Sequence, residues 1–236
     1  MYRAVSVPDR SLQGLWRYLS HTRLVELLTQ AELFFCHLPR LSDGFEGTLT
    51  ERTRARLYQV QLELYHDAAL AAGAVTDYEN HRDAFFVNCW HINDCESYLM
   101  WRAYGERGFA IRTNFERLGA AFDRFSGSIE GRMVQYIDFS REAFDIGNVF
   151  TAVTHKDLPY RDEREFRLTF WKPDLGNAAV PVTPSGVRVP IDLDMLVEAI
   201  YVSPRLAAVP DDVRRLVEQK RLSCQLVVSA VQEKCG

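Results

Sequence analysis

Apolar residues recur along this chain at two spacings. Leu24, Leu27, Leu28 and Ala31 stand at i, i+3, i+4 and i+7, which predicts one helix with one buried stripe. It is framed by short strands at Leu15 to Leu19 and Glu32 to Leu38, and a turn-rich loop, Ser42-Asp-Gly-Phe-Glu-Gly47, comes next. Residues 51–72 place Leu57, Val60, Gln61 and Leu64 in a charged background, the pattern of a long surface helix that Gly73 would end. Phe85 to Trp90 reads as a buried strand. Asn93 and Glu96 have the spacing of a capping box opening a helix from Glu96 to Tyr104.

Beyond that helix the period changes to two. Gly108 to Thr113, Met133 to Phe139 and Phe166 to Trp171 alternate, and Glu198 to Val202 and Leu226 to Val231 are rich in β-branched residues. Pro210-Asp-Asp puts a proline and two acids in a helix first turn, with Val213, Leu216 and Val217 on the apolar face. About seven strands and four helices in irregular order lack the steady alternation of a doubly wound sheet. The expectation is an α+β fold: a single domain over residues 1–236 with a mixed, mostly antiparallel sheet and about four flanking helices. The 176–186 stretch reads as a surface loop or hairpin connection within it.

Composition changes this picture little. Apolar residues at 47% and charged residues at 25% are ordinary globular usage. The formal net charge of -4 gives no global basic field to draw the chain onto nucleic acid or an anionic membrane. The first ten residues lack the apolar core of a signal peptide, and no apolar run approaches the ~20 residues that span a bilayer. A cytoplasmic protein is expected, with no membrane partner. Cysteines 36, 89, 95, 224 and 235 are odd in number and read as reduced thiols. Cys89, His91 and Cys95 offer three soft ligands where a closed zinc site wants four, so no metal site is assigned.

The chemistry-bearing residues fall in four segments. Phe166, Leu168 and Phe170 share one face of their strand, sending Glu163, Glu165, Arg167 and Thr169 to the other. That second face is either a solvated sheet surface or a site in which a carboxylate beside an arginine binds a ribose hydroxyl or acts as a base. Asp43 and Glu46 lie between glycines that allow close backbone approach to a ligand; a capped turn anchored by Phe45 has the same pattern. Trp101 and Tyr104 share a helix face with Met100, as core packing or as an aromatic platform. Trp16-Arg17-Tyr18 sets Arg17 opposite its aromatic neighbours, where it would pair a phosphate or a carboxylate. Phosphate-loop, dinucleotide-fingerprint, nucleophile-elbow and zinc-protease motifs are absent.

In order, Leu15-Trp-Arg-Tyr18, Leu33-Phe-Phe, Ser42-Asp-Gly-Phe-Glu46, Val87-Asn-Cys-Trp90, Met100-Trp-Arg-Ala-Tyr104, Gly108 to Thr113, Val134-Gln-Tyr136, Lys156 and Glu163-Arg-Glu-Phe-Arg167 span most of the chain. This set resembles a bacterial family catalogued as domain of unknown function 2971, related in pattern to abortive-infection phage-resistance proteins. Two departures stand out: Gly44 replaces the family's proline turn, and His91 replaces its serine. A further likeness is to the ADP-ribosyltransferase fold. That resemblance implies NAD as co-substrate, with Arg17 on its phosphates, Tyr104 or Trp101 on nicotinamide, and Glu165 orienting ribose and stabilising the oxocarbenium charge.

The candidate catalytic residues are therefore Glu165, Arg17 and Tyr104, and the candidate binding residues Tyr18, Asp43, Glu46, Trp101 and Arg167. The ligand expected is a small molecule or nucleotide, with a nucleic-acid or protein target, in a toxin or phage-defence role. Two other readings stay open. One is a metal-dependent nuclease using Asp43, Glu46, Asp94 or Glu165; the other is a non-catalytic antitoxin or ligand sensor.

Overall fold

The computed structural model describes residues 2–5, 14–41, 43–173 and 180–231. Ser42, Cys235 and the 176–179 part of the 176–186 stretch lie outside them. Thirteen strands are present among the described residues: β1 (Tyr2–Ala4), β2 (Leu15–Leu19), β3 (Glu32–His37), β4 (Phe85–Ile92), β5 (Phe109–Thr113), β6 (Ile129–Met133), β7 (Gln135–Ile137), β8 (His155–Asp157), β9 (Glu165–Trp171), β10 (Val182–Thr183), β11 (Gly186–Pro190), β12 (Ala199–Val202) and β13 (Gln225–Val228). Eleven form one mixed, mostly antiparallel sheet, and β7 and β8 pair in parallel beside it. The fold is a single α+β domain.

Four helices of nine or more residues flank the sheet, and each carries its own signal. Helix α1 (His21–Gln30) starts where the Ser20 side chain accepts from the Arg23 amide, buries Leu24, Leu27 and Leu28, and stops at Ala31 in the left-handed region. Residues 51–80 form two helices, α2 (Glu51–Tyr65) and α3 (Ala68–Asn80), rather than the single one expected to end at Gly73. His66 adopts a left-handed conformation, and the Asp67 side chain caps the Ala69 and Leu70 amides, so the chain restarts there. Helix α2 lies on the surface as expected: Val60 and Leu64 are 57% and 66% exposed, and Leu57 packs against the small cluster of Leu49, Phe144 and Ala152. Short helices α4 (Tyr98–Tyr104), α5 (Phe115–Ala120), α6 (Phe150–Val153) and α7 (Leu193–Leu196) precede α8 (Asp211–Gln219), which buries Val213 and Val217. Helix α4 is capped by Ser97, whose hydroxyl accepts from the Met100 amide, and not by Asn93.

The expected strand from Met133 to Phe139 is divided. Residues up to Met133 pair with β9, whereas Gln135 onward pairs with β8, and the Val134 amide donates to the Glu165 carbonyl at the switch. None of the helices among the described residues is long and apolar enough to cross a membrane.

Strand β4 is the branch point of the sheet. One edge pairs with β9 along its length, from Phe85 opposite Trp171 to His91 opposite Glu165. Its other edge is shared: Phe86 and Val87 pair with β3, and His91 and Ile92 pair with β2. The sheet forks there, one branch running β2-β5-β12-β13 and the other β3-β11-β10. Residues 88–90 meet neither branch by a strand ladder. Side chains bridge the gap instead: Arg17 Nη1 donates to the Cys89 carbonyl at 3.0 Å, and Asn88 Nδ2 to the Phe34 carbonyl at 2.9 Å.

Candidate functional site: a cleft at the fork of the sheet

A cleft of about 260 Å³ opens at the fork, lined by Arg17 and Tyr18 from β2, Cys36 from β3, and Cys89, Trp90 and His91 from β4. Glu46, Tyr104, Lys156, Glu163 and Glu165 add the rest of its polar wall, and Trp16, Phe34, Leu41, Val87 and Met100 its remaining apolar surface. Five of the eight residues singled out from sequence thus converge: Arg17, Tyr18, Glu46, Tyr104 and Glu165.

The polar face of β9 is not solvated. Phe166, Leu168 and Phe170 enter the main core, and Glu165, Arg167 and Thr169 are buried on the opposite side. The segment from β7 to Glu163 brings partners to that face. The Glu165 amide donates to the Tyr136 hydroxyl at 2.9 Å, and Arg167 donates to the Val153 carbonyl at 2.7 Å. Arg167 grips both Glu165 oxygens, at 2.6 and 2.9 Å, and contacts Glu46 Oε2 at 2.6 Å. Lys156 Nζ lies 2.9 Å from Glu46, 2.6 Å from Glu163 and 3.8 Å from Glu165. Three carboxylates are thereby interleaved with two cations, the condition under which buried charge is tolerated.

This arrangement sets protonation states. Burial alone would raise the Glu165 pKa, but the Arg167 guanidinium and the Lys156 ammonium hold it down at about 2, so the carboxylate is ionised at neutral pH. Burial likewise opposes the charge on Lys156, yet Glu165 and Glu46 outweigh it and raise its pKa. Tyr104 donates to Glu163 Oε1 at 2.7 Å, and burial together with that carboxylate keeps its phenol protonated. Burial pushes the Cys89 thiol well up, with Glu165 as its hydrogen-bond partner, so the sulfur is a protonated donor rather than a nucleophile.

Arg17 differs from the other cations. Among the described residues no carboxylate lies within ion-pair distance of it; it makes the bond to Cys89 O and stacks 5.9 Å above the Trp90 ring. Burial lowers its pKa, the cost of a half-buried guanidinium that has no carboxylate partner.

Three expected site residues stay outside the cleft. Arg167 is 0% exposed with its donors taken by Glu46, Glu165 and Val153, so it positions Glu165 and meets no ligand. Trp101 is buried against Tyr18 at 4.9 Å between ring centres, and its indole donates to Glu96, which makes it packing. Asp43 accepts from the Phe45 amide within a turn, and Phe45 itself is exposed rather than an anchor. That turn still matters, because it carries Glu46 inward. Gly47 follows at φ 73°, where an added Cβ would fall 2.6 Å from Leu38 Cδ2.

Sequence reasoning passed over Lys156, Glu163 and His91 as site residues. Lys156 and Glu163 stood in the ordered set of matching segments, but neither carried a signal of burial. Asp94, named for a nuclease, is exposed and away from the cleft wall. No family model, curated protein or solved structure matches this chain, so its function must be argued from the cleft itself.

Proposed function

We propose that the cleft binds the nicotinamide-ribose end of NAD and transfers the ADP-ribosyl group to an acceptor, a cytoplasmic activity suited to a toxin or phage-defence effector. The observation that carries this reading is that Arg17 and Glu165 line one cleft: a guanidinium without a carboxylate partner shares it with an ionised carboxylate. Arg17 supplies forked donors for the diphosphate. Tyr18, Trp90 and Tyr104 supply aromatic surface for the nicotinamide ring. Glu165, oriented by Arg167, stabilises positive charge developing on the ribose as the bond to nicotinamide breaks. The volume is near the lower end of ligand pockets, which run from roughly 300 to 1,000 Å³, and suits a heterocycle with its ribose rather than a whole dinucleotide.

A second reading, a ligand sensor without turnover, draws support from the bidentate hold of Arg167 on Glu165, which leaves that carboxylate few free lone pairs. The nuclease reading draws less. Glu46, Glu163 and Glu165 share Lys156 and Arg167 as counter-charges, and among the described residues no three acidic, His or Cys side chains are grouped to hold a metal. Incubation of the protein with NAD, followed by nicotinamide release, separates the first two. Glu165→Gln is expected to slow release by about 100-fold or more while ADP-ribose still binds. Release at equal rates by variant and wild type would refute the role of Glu165; binding without release by wild type would favour the sensor.

A further inference from the structure

His91 has an imidazole nitrogen without a partner. Its ring is buried on the cleft wall, and Nδ1 lies 2.6 Å from the Glu163 carbonyl oxygen. A carbonyl only accepts, so Nδ1 carries the proton and Nε2 is left as a bare lone pair. Nε2 is itself buried and has no hydrogen-bond partner. The strand register puts His91 directly opposite Glu165, on the same face of the sheet, within side-chain reach of the residue assigned to the ribose.

We propose that His91 is the proton acceptor of the cleft, taking the proton from the water or alcohol group that attacks the ribose; this rests on the glycosyl-transfer reading. In that step the acceptor O–H bond breaks and its proton passes to Nε2, while the oxygen forms a bond to the anomeric carbon. The bond from that carbon to the nicotinamide ring breaks, its electron pair stays on the ring nitrogen, and the pyridinium charge is discharged. The imidazolium formed is favoured by the Glu163 carboxylate and opposed by Arg164. Tyr18 on β2 meets the imidazole edge-on, 6.4 Å between ring centres, and Trp16 pairs with His91 along the backbone. Burial lowers the His91 pKa, more than the bond to the Glu163 carbonyl raises it, so the ring is neutral at pH 7.

The role makes two demands on experiment. Nitrogen-15 NMR of the wild-type chain is expected to show His91 protonated on Nδ1 and bare on Nε2 at pH 7.5. A proton on Nε2 would overturn the proposal whatever the substrate proves to be. Kinetically, His91→Asn keeps an amide donor for the Glu163 carbonyl but removes Nε2. Its nicotinamide release should be about 100-fold slower. The wild-type rate should fall on the acid side, with a midpoint below the ordinary histidine value of about 6.5, and the variant should lack that acid limb. A variant that keeps both the rate and the limb refutes the proposal and leaves the glycosyl-transfer reading standing. If wild type releases no nicotinamide, the glycosyl-transfer reading fails, and with it the attack on ribose assigned here to His91; the NMR arm then decides whether His91 remains a proton acceptor of any kind.

Discussion

Replacing Arg167 by methionine removes a guanidinium of zero exposure and leaves two buried carboxylates, Glu46 and Glu165, to share Lys156. Lys156 lies 2.9 Å from Glu46 but 3.8 Å from Glu165, so Glu165 suffers most. Breaking a buried ion network by deleting one partner costs about 3–5 kcal/mol. A chain of this size should then melt roughly 6–20 °C lower. The loss should depend on pH. In wild type the Glu165 pKa, about 2 against an ordinary 4.5, contributes stability present above pH 4.5 and lost as pH falls toward 2. Without Arg167, burial raises that pKa above its ordinary value, so protonation relieves the variant as pH falls. Its deficit in urea denaturation should accordingly be smaller at pH 5.5 than at pH 8. Arg167→Met combined with Glu165→Leu should recover at least half of the loss, because the carboxylate stranded most is removed and Glu46 keeps Lys156. A single-variant loss under about 1 kcal/mol, or an equal loss at both pH values, would refute the account of Arg167 as the counter-charge of this face.

Two further outcomes concern the cleft wall and the packing behind it. Arg17→Gln should weaken ADP-ribose binding by about 10- to 100-fold in titration calorimetry, the magnitude of a charge-assisted hydrogen bond, and unchanged affinity would remove Arg17 as the anion anchor. Trp101→Phe deletes the indole donor to Glu96 and should cost about 1–3 kcal/mol in urea denaturation with ADP-ribose affinity unaltered; a weakened affinity would return Trp101 to the site.

Local pattern revealed the strands and their faces, because period-two alternation is a property of the chain alone. Both faces of β9 were legible in Glu165 to Phe170. What covers the polar face was not, since Tyr136, Val153 and Lys156 arrive on short elements without marked periodicity. The break at His66 and Asp67 was legible in retrospect, because aspartate is a strong helix opener, but an unbroken run of helix formers hid it. The stripe of Leu57, Val60 and Leu64 marked a surface helix but not how much of it is covered: Leu57 packs against Leu49, Phe144 and Ala152, while Val60 and Leu64 stay exposed, because periodicity marks a face without saying what lies against it. His91 drew notice only as one of three soft ligands and as a departure from a family serine, and neither pattern marks a free nitrogen. Its free lone pair exists because a carbonyl 72 residues later takes the other nitrogen.

The fork in β4 has a mechanical consequence. A continuous ladder resists separation through a row of backbone bonds, but at residues 88–90 side chains tie each branch to β4, Arg17 for β2 and Asn88 for β3. Opening the cleft there requires two side-chain contacts to yield, while the ladders on either side stay intact. The guanidinium proposed to hold an incoming anion is one of these two stitches. Under that proposal, a phosphate that drew Arg17 Nη1 away from Cys89 would loosen the tie between β2 and β4, so loading of the site would reach the spacing of the strands through a single side chain.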